Sequence, residues 1–217
     1  TETPTPKEVT ALTTAVAGAR TKGQPVSIAI DQEGGPVSRL STAALPFPPL
    51  MALAATDDPK LRTQATTVQA QNLADLGFTI DFAPDSDVTI GPKDVAINVR
   101  SAGGDPQAVA EVVAQAVDGY EAGGVASSAK HFPGHGDTAV DSHTALPVVD
   151  KTLEDLWQSE LVPFDMVLSG QFWGEPVMEP TPAVMVAHIL LSQIDPDNPA
   201  SLSPEVVTGL LREEMGY

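Results

Sequence analysis

Lys130-His131-Phe132-Pro133-Gly134-His135-Gly136-Asp137-Thr138, followed by Asp141-Ser142-His143, gathers three of the chain's 4 histidines into one short stretch. Its glycines and prolines exclude a regular helix, so these side chains project from a loop. An imidazole titrates near neutral pH, and His143, with Asp141 two residues before it, can form a carboxylate-oriented group that takes and returns a proton. A metal site is a second reading, because His131, His135, Asp137, Asp141 and His143 are all competent ligands, although their spacing matches no ligand pattern with a mechanical basis. A loop held by ordinary hydrogen bonds is the third. The residues alone leave all three open.

Asp31-Gln32-Glu33-Gly34-Gly35-Pro36-Val37-Ser38-Arg39 forms a second motif. A carboxylate directly after a buried strand stands at the mouth of a sheet, placed to accept hydrogen bonds from substrate hydroxyls, and Arg39 can donate or balance charge. No G-x-G-x-x-G or Walker pattern follows, so the glycine pair is not read as a phosphate cradle.

The elements that would position these residues repeat as a unit. Residues 26–30, 78–83, 125–130 and 183–187 are short apolar runs that suit buried parallel strands. Between them lie helical patterns with recognisable ends. Asp58-Pro59 opens one, with Leu61, Ala65, Val68, Leu73 and Leu76 as its stripe and Gly77 as its stop. Asp105-Pro106 opens another, with Val109, Val112, Val113, Ala116, Val117 and Tyr120 facing the core and Gly123-Gly124 ending it. Thr152 with Asp155 resembles a capping box ahead of Leu156, Trp157 and Leu161. Ser203-Pro204-Glu205 caps a last helix running to about Gly216, and residues 1–6 read as a linker-like start. This alternation predicts an α/β fold with a parallel sheet of about four strand–helix units. The long loops 31–56, 84–104 and 131–151 then fall on the C-terminal face of the sheet, where active sites are built. Asp31, Glu33, Asp85, Asp87, Lys130, His131 and His188 all collect there.

Composition removes several function classes. The 217 residues hold no Cys, so there is no disulfide framework and no thiol nucleophile. Eleven basic against 29 acidic residues give a net charge of −18, which opposes binding to nucleic acid or to an anionic membrane surface. No run approaches the ~18 apolar residues of a membrane span.

Taken with IAIDQEGGPVSRL before it and VMVAH and PASLS after it, the KHFPGHGDT stretch resembles glycoside hydrolase family 3, and within it the bacterial β-N-acetylglucosaminidases that act on cell-wall fragments. The likeness is collinear from about Pro25 to Gly216. It implies a (β/α)₈ barrel of TIM type, of which the chain would be an incomplete part, all within one catalytic domain. It assigns His143 as general acid/base paired with Asp141, the pair that marks the N-acetylglucosaminidases within the family. Lys130, His131 and Asp31 would contact sugar hydroxyls, with Arg39 nearby. Arg100 would contact substrate and His188 would line the pocket, an inward-facing structural histidine being the alternative for the latter. Residues 169–182 look longer than the family's usual connection, as an extra cleft wall or a surface loop.

The implied reaction is retaining hydrolysis of terminal β-linked N-acetylglucosamine from peptidoglycan fragments or chito-oligosaccharides, without cofactor or metal. The resemblance places the nucleophilic Asp beyond Tyr217, so the expectation is a part of a catalytic domain that is inactive alone. A phosphorylase on the same scaffold and a non-catalytic sugar-binding fragment are the alternatives. The partner expected is carbohydrate. The location expected is extracytoplasmic or at the cell surface, with the cytoplasm as alternative, and oligomeric state leaves no mark in the sequence.

Overall fold

A computed structural model describes residues 4–21, 24–40, 42–138, 145–172, 175–176 and 178–217. Each of the four apolar runs contributes to a parallel ladder. β1 (Ala29–Ile30) pairs with β4 (Ile80–Asp81), which pairs in turn with β5 (Ala126–Ser127), all parallel. The run 125–130 then changes partner: its second half, β6 (Ala129–Phe132), pairs with β10 (Val184–Val186). A parallel bridge from Asp85 to Lys130 links the two groups. Regular pairing is shorter than the apolar runs, but single bonds extend it, as from Thr79 N–H to the Ile28 carbonyl (2.9 Å) and from Ser128 N–H to the Ala83 carbonyl (2.8 Å).

Between these strands lie a tight hairpin, β2 (Gln32–Gly34) with β3 (Val37–Ser38), and the helices α2 (Leu50–Ala54), α3 (Pro59–Asp75) and α4 (Pro106–Gly123). After β6 come β7 (Val148–Val149), α5 (Leu153–Gln158), α6 (Leu161–Ser169) and the hairpin of β8 (Gln171–Phe172) with β9 (Glu175–Pro176). β11 (Leu190–Leu191) runs parallel to β7, and α7 (Glu205–Glu214) is a wide-turned helix that closes with Met215 N–H on the Leu210 carbonyl. Spatial strand order follows chain order, which is the arrangement of successive βα units in an arc of a (β/α) barrel. Among the described residues the arc has four members and does not close.

Helix α4 behaves as its sequence predicts. Val109, Val112, Val113, Ala116, Val117 and Tyr120 are all buried, Asp105 caps the first turn at Ala108 N–H (2.9 Å), and Gly124 adopts φ 80°. The Thr152–Asp155 capping box is present, and Ser203 accepts from Val206 N–H at 3.2 Å. The core lies between β6 and helices α4, α6 and α7, centred on Phe132 and Phe164, whose rings meet edge to face at 5.3 Å.

Two expectations need correction. Thr5 and Pro6, read as part of a linker-like start, open α1 (Pro6–Gly18): Thr5 caps it and Glu8 completes a capping box. In α3 the predicted stripe holds at Leu73 and Leu76, which are buried, but not at Leu61 and Val68, which are exposed while Arg62, Thr66, Gln69 and Ala70 are buried. Packing against α4 explains it. That helix approaches through Gly119 and Gly123, where an added Cβ would lie 2.6 Å from Thr66 Cβ and 2.3 Å from Ala70 Cβ, so the facing side chains are small. Arg62 takes a buried place because it donates to the Leu53 and Ala54 carbonyls at the end of α2.

Candidate active site

The C-terminal ends of β1, β4, β6 and β10 open into one cleft of about 330 Å³. Asp31, Arg39, Arg100, Lys130, His131 and His188 all line it, joined by Glu33 and His135. Six positions up to 157 residues apart in the chain (31 to 188), from strand β6 and from loops, thus meet at one mouth. His143 and Asp141 lie outside the described residues.

The floor of the cleft is an ionic network. Lys130, at the end of β6, is 1 % exposed, and its ammonium donates to Asp31 Oδ1 at 2.8 Å and lies 2.5 Å from Glu33 Oε1. Arg100 grips the same Glu33 with two parallel bonds, Nε to Oε2 at 2.9 Å and Nη2 to Oε1 at 2.8 Å. Burial works against the charged form of Glu33, but the Arg100 and Lys130 cations outweigh it and hold its carboxyl below the usual range. Glu33 therefore anchors two cations and leaves little acceptor capacity for a ligand. Asp31 differs: its side chain is 36 % exposed, so it can accept from a hydroxyl while bound to Lys130.

His131 carries a defined tautomer. Its Nδ1 lies 2.7 Å from Asp87 Oδ2, which only accepts, and its Nε2 lies 3.3 Å from Arg100 Nη2, which only donates. The proton therefore sits on Nδ1. Burial keeps the imidazole neutral by lowering its pKa, against the pull of Asp87. Asp87 is buried as well, yet the His131 ring and the backbone N–H groups of His131 (3.3 Å) and His135 (2.6 Å) hold it ionised. Asp85 is the reverse case. Burial and the neighbouring Asp87 charge push its pKa well up, and its Oδ2 has no hydrogen-bond partner among the described residues.

Around the rim, His188 is exposed, with Nδ1 on Ser201 Oγ at 2.7 Å. Arg39 is exposed too. Asp137 turns away to Lys151 (2.8 Å), and His135 Nδ1 meets Thr138 Oγ1 (2.8 Å). Of the described residues in 169–182, none lines the cleft; Glu179, Pro180 and Pro182 border a separate surface hollow beside Val125 and Ala126.

A metal-competent group does exist, though not the set the spacing offered. Asp85, Asp87 and His131 bring one ligand atom each within 4.8 Å of one another. An ion there would have to displace the proton shared by His131 and Asp87 and would face Arg100, 3.6 Å from Asp85 Oδ2. In the sequence, Glu33, Asp85 and Asp87 stand out only as polar residues at strand ends. Their pairing depends on contacts across 67 and 44 positions, which no local pattern encodes.

Comparison with known proteins places this geometry. Residues 3–217 match the family described as the glycosyl hydrolase family 3 N terminal domain. "Beta-hexosaminidase A" of Pseudoalteromonas piscicida is 37 % identical over 97 % of this chain and 37 % of its own length. The solved glycoside hydrolase family 3 beta-N-acetylglucosaminidase from a Paenibacillus species superposes with a TM-score of 0.90 at 40 % identity, covering 99 % of this chain and 40 % of that one. NagZ from Neisseria gonorrhoeae, solved in complex with N-trifluoroacetyl-D-glucosamine, superposes with a TM-score of 0.87 at 29 % identity, over 99 % of this chain and 61 % of that one. The chain thus spans between 37 % and 61 % of the length of these relatives.

Proposed function

The chain belongs to glycosyl hydrolase family 3, and from that membership we propose that the protein carrying it hydrolyses terminal β-linked N-acetylglucosamine with retention of configuration. One observation supports the reading above others: the six positions that resemble the family's sugar contacts line a single cleft at the strand ends. Peptidoglycan fragments and chito-oligosaccharides are the substrates proposed, and an extracytoplasmic or cell-surface setting is proposed with them.

In this reading the sugar's hydroxyls meet Asp31 and the Lys130 ammonium, and Arg100 and His131 form the wall beside them. His143 protonates the leaving oxygen and then activates water, with Asp141 fixing its tautomer; an imidazole suits the task because its ordinary pKa, about 6.5, lies near neutral pH. A retaining mechanism also needs a carboxylate nucleophile about 5–5.5 Å from the acid/base. The described carboxylates at and beneath the cleft are committed elsewhere: Asp31 to Lys130, Glu33 to two cations and Asp87 to His131, while Asp85 is buried and does not line the cleft. The nucleophile is therefore assigned, by resemblance to the family, to the strand that follows α7.

The natural-length protein should release N-acetylglucosamine from an aryl β-N-acetylglucosaminide and from chitobiose, and inorganic phosphate should not change the product. Formation of the sugar 1-phosphate would favour the phosphorylase alternative, and binding without turnover the sugar-binding one.

A further inference from the structure

Gln32 never reaches the cleft, yet its neighbours Asp31 and Glu33 both grip Lys130 there. Nearly every polar group of Gln32 is used. Its side-chain Oε1 accepts from Arg39 N–H (2.8 Å) and Leu40 N–H (3.2 Å), and its Nε2 donates to Ser38 Oγ at 2.8 Å. Its carbonyl accepts from Gln69 Nε2 on α3. Its own N–H donates to Asp81 Oδ1 at 2.9 Å. Asp81, on β4, is fully buried, and its second oxygen accepts from Tyr120 Oη on α4 at 3.0 Å. A pillar of side chains from α4 and β4 thus ends on the backbone between the two carboxylates of the cleft.

We infer that Asp81 is a positioning residue of the cleft: through Gln32 it fixes the segment that brings Asp31, Glu33 and Arg39 to the sugar. Of the pillar's two ionisable links, Tyr120 is held protonated by burial, which raises its pKa well above the ordinary value, and Asp81 is the one that can change charge in the neutral range. Its two partners are both donors, so the ionised carboxylate satisfies both with charge-assisted bonds. In the protonated acid one oxygen carries a hydrogen, which turns the Tyr120 contact round and leaves the Gln32 bond a neutral, weaker one. Burial pushes the Asp81 pKa up to about 6 against the bonds from Gln32 and Tyr120. The charged groups facing it are Lys130 on β6, which favours ionisation, and Glu33 on β2, which opposes it. The pillar therefore tightens as pH rises through the neutral range.

The kinetic part of the test rests on the glycosidase reading; a substrate-free part does not. In the natural-length enzyme, KM for an aryl β-N-acetylglucosaminide should rise about fivefold as pH falls through 6, the difference between a charge-assisted and a neutral hydrogen bond. Asp81→Asn mimics the protonated acid, so its KM should be high and flat from pH 5 to 8, with kcat within about twofold of the parent. Tyr120→Phe removes a bond that favours the ionised form and should move the KM rise to higher pH. Independently of substrate, the Gln32 amide should exchange about fivefold faster with solvent in Asp81→Asn than in the parent at pH 7.5, while the melting temperature does not fall. An unchanged KM profile in Asp81→Asn with an active parent overturns the inference, as does an equally protected Gln32 amide. Faster exchange in a protein that turns over no N-acetylglucosaminide overturns the glycosidase reading and upholds the pillar.

Discussion

Glu33→Gln tests whether the ionic floor holds the fold as well as the cleft. The carboxylate receives Lys130 and both edges of the Arg100 guanidinium, with side-chain exposures of 7 % for Glu33, 1 % for Lys130 and 16 % for Arg100. A glutamine keeps one acceptor oxygen and turns its NH₂ toward a cation. At least one bond to a charged donor is lost, worth about 1.5–3 kcal/mol, and removing one partner of a buried pair costs about 3–5 kcal/mol in general. Asp85 softens the loss: the Glu33 charge helps to keep it protonated, so without Glu33 it can ionise toward Arg100. The lower end, about 3 kcal/mol at pH 7, is therefore expected, or about 6–12 °C in Tm for a domain of this size.

The sign with pH follows from the same network. Glu33 has its pKa lowered below the ordinary 4.5, so its stabilisation is present above that value and disappears as pH falls through the folded-state pKa. Parent and variant should thus converge in urea unfolding at strongly acidic pH and diverge at pH 7. A difference below 0.5 kcal/mol at pH 7, or one that does not shrink in acid, would refute the argument.

Three further outcomes are expected. His143→Ala should lower turnover of natural linkages by about 10²–10⁴ and spare activated aryl glycosides, whose leaving group needs no proton; equal losses on both would remove His143 from the acid role. Prolonged chelation should leave turnover unchanged, and plasma emission spectrometry showing stoichiometric zinc would instead point to Asp85, Asp87 and His131. Gly123→Ala should destabilise by about 1–3 kcal/mol in chemical denaturation, because its new methyl meets Ala70 Cβ at 2.3 Å and the Thr67 carbonyl at 2.9 Å; a neutral effect would mean that α3 and α4 separate without cost.

How far the sequence reaches depends on whether a signal is local. The caps of α3 and α4 are written in the neighbouring residues, Asp then Pro at the start, and both form. Helix α1 carries the same kind of signal, Thr5 with Glu8, but it lies at a Thr- and Pro-rich start whose composition reads as a frayed end. The buried face of α3 was not legible, since what selects Thr66 and Ala70 over Leu61 and Val68 is a pair of glycines on another helix. Likewise the motif residues Asp31, Lys130 and His131 could be named from the chain, whereas Glu33 as the common anchor of Lys130 and Arg100 could not. Its role exists only once β2 and β6 are side by side.

Charge arithmetic shows why the anchor had to be shared. Five acids, Asp31, Glu33, Asp81, Asp85 and Asp87, stand at or beneath a cleft that holds Lys130 and Arg100 as the cations of its floor. Were all five ionised, the excess of negative charge in so little solvent would cost more than the pairs return. The structure resolves this by depth and by partner. Asp87 stays ionised because three N–H groups point at it, and Glu33 because two cations do. Asp85 has one backbone N–H on Oδ1 and no hydrogen bond on Oδ2, and burial beside the Asp87 charge pushes its pKa well up. Asp81 falls between, with two neutral donors, and so titrates where the others do not. Of the five, Asp31 alone is exposed enough to exchange solvent for a hydroxyl ligand, which makes the buried carboxylates the supports of that one exposed acceptor.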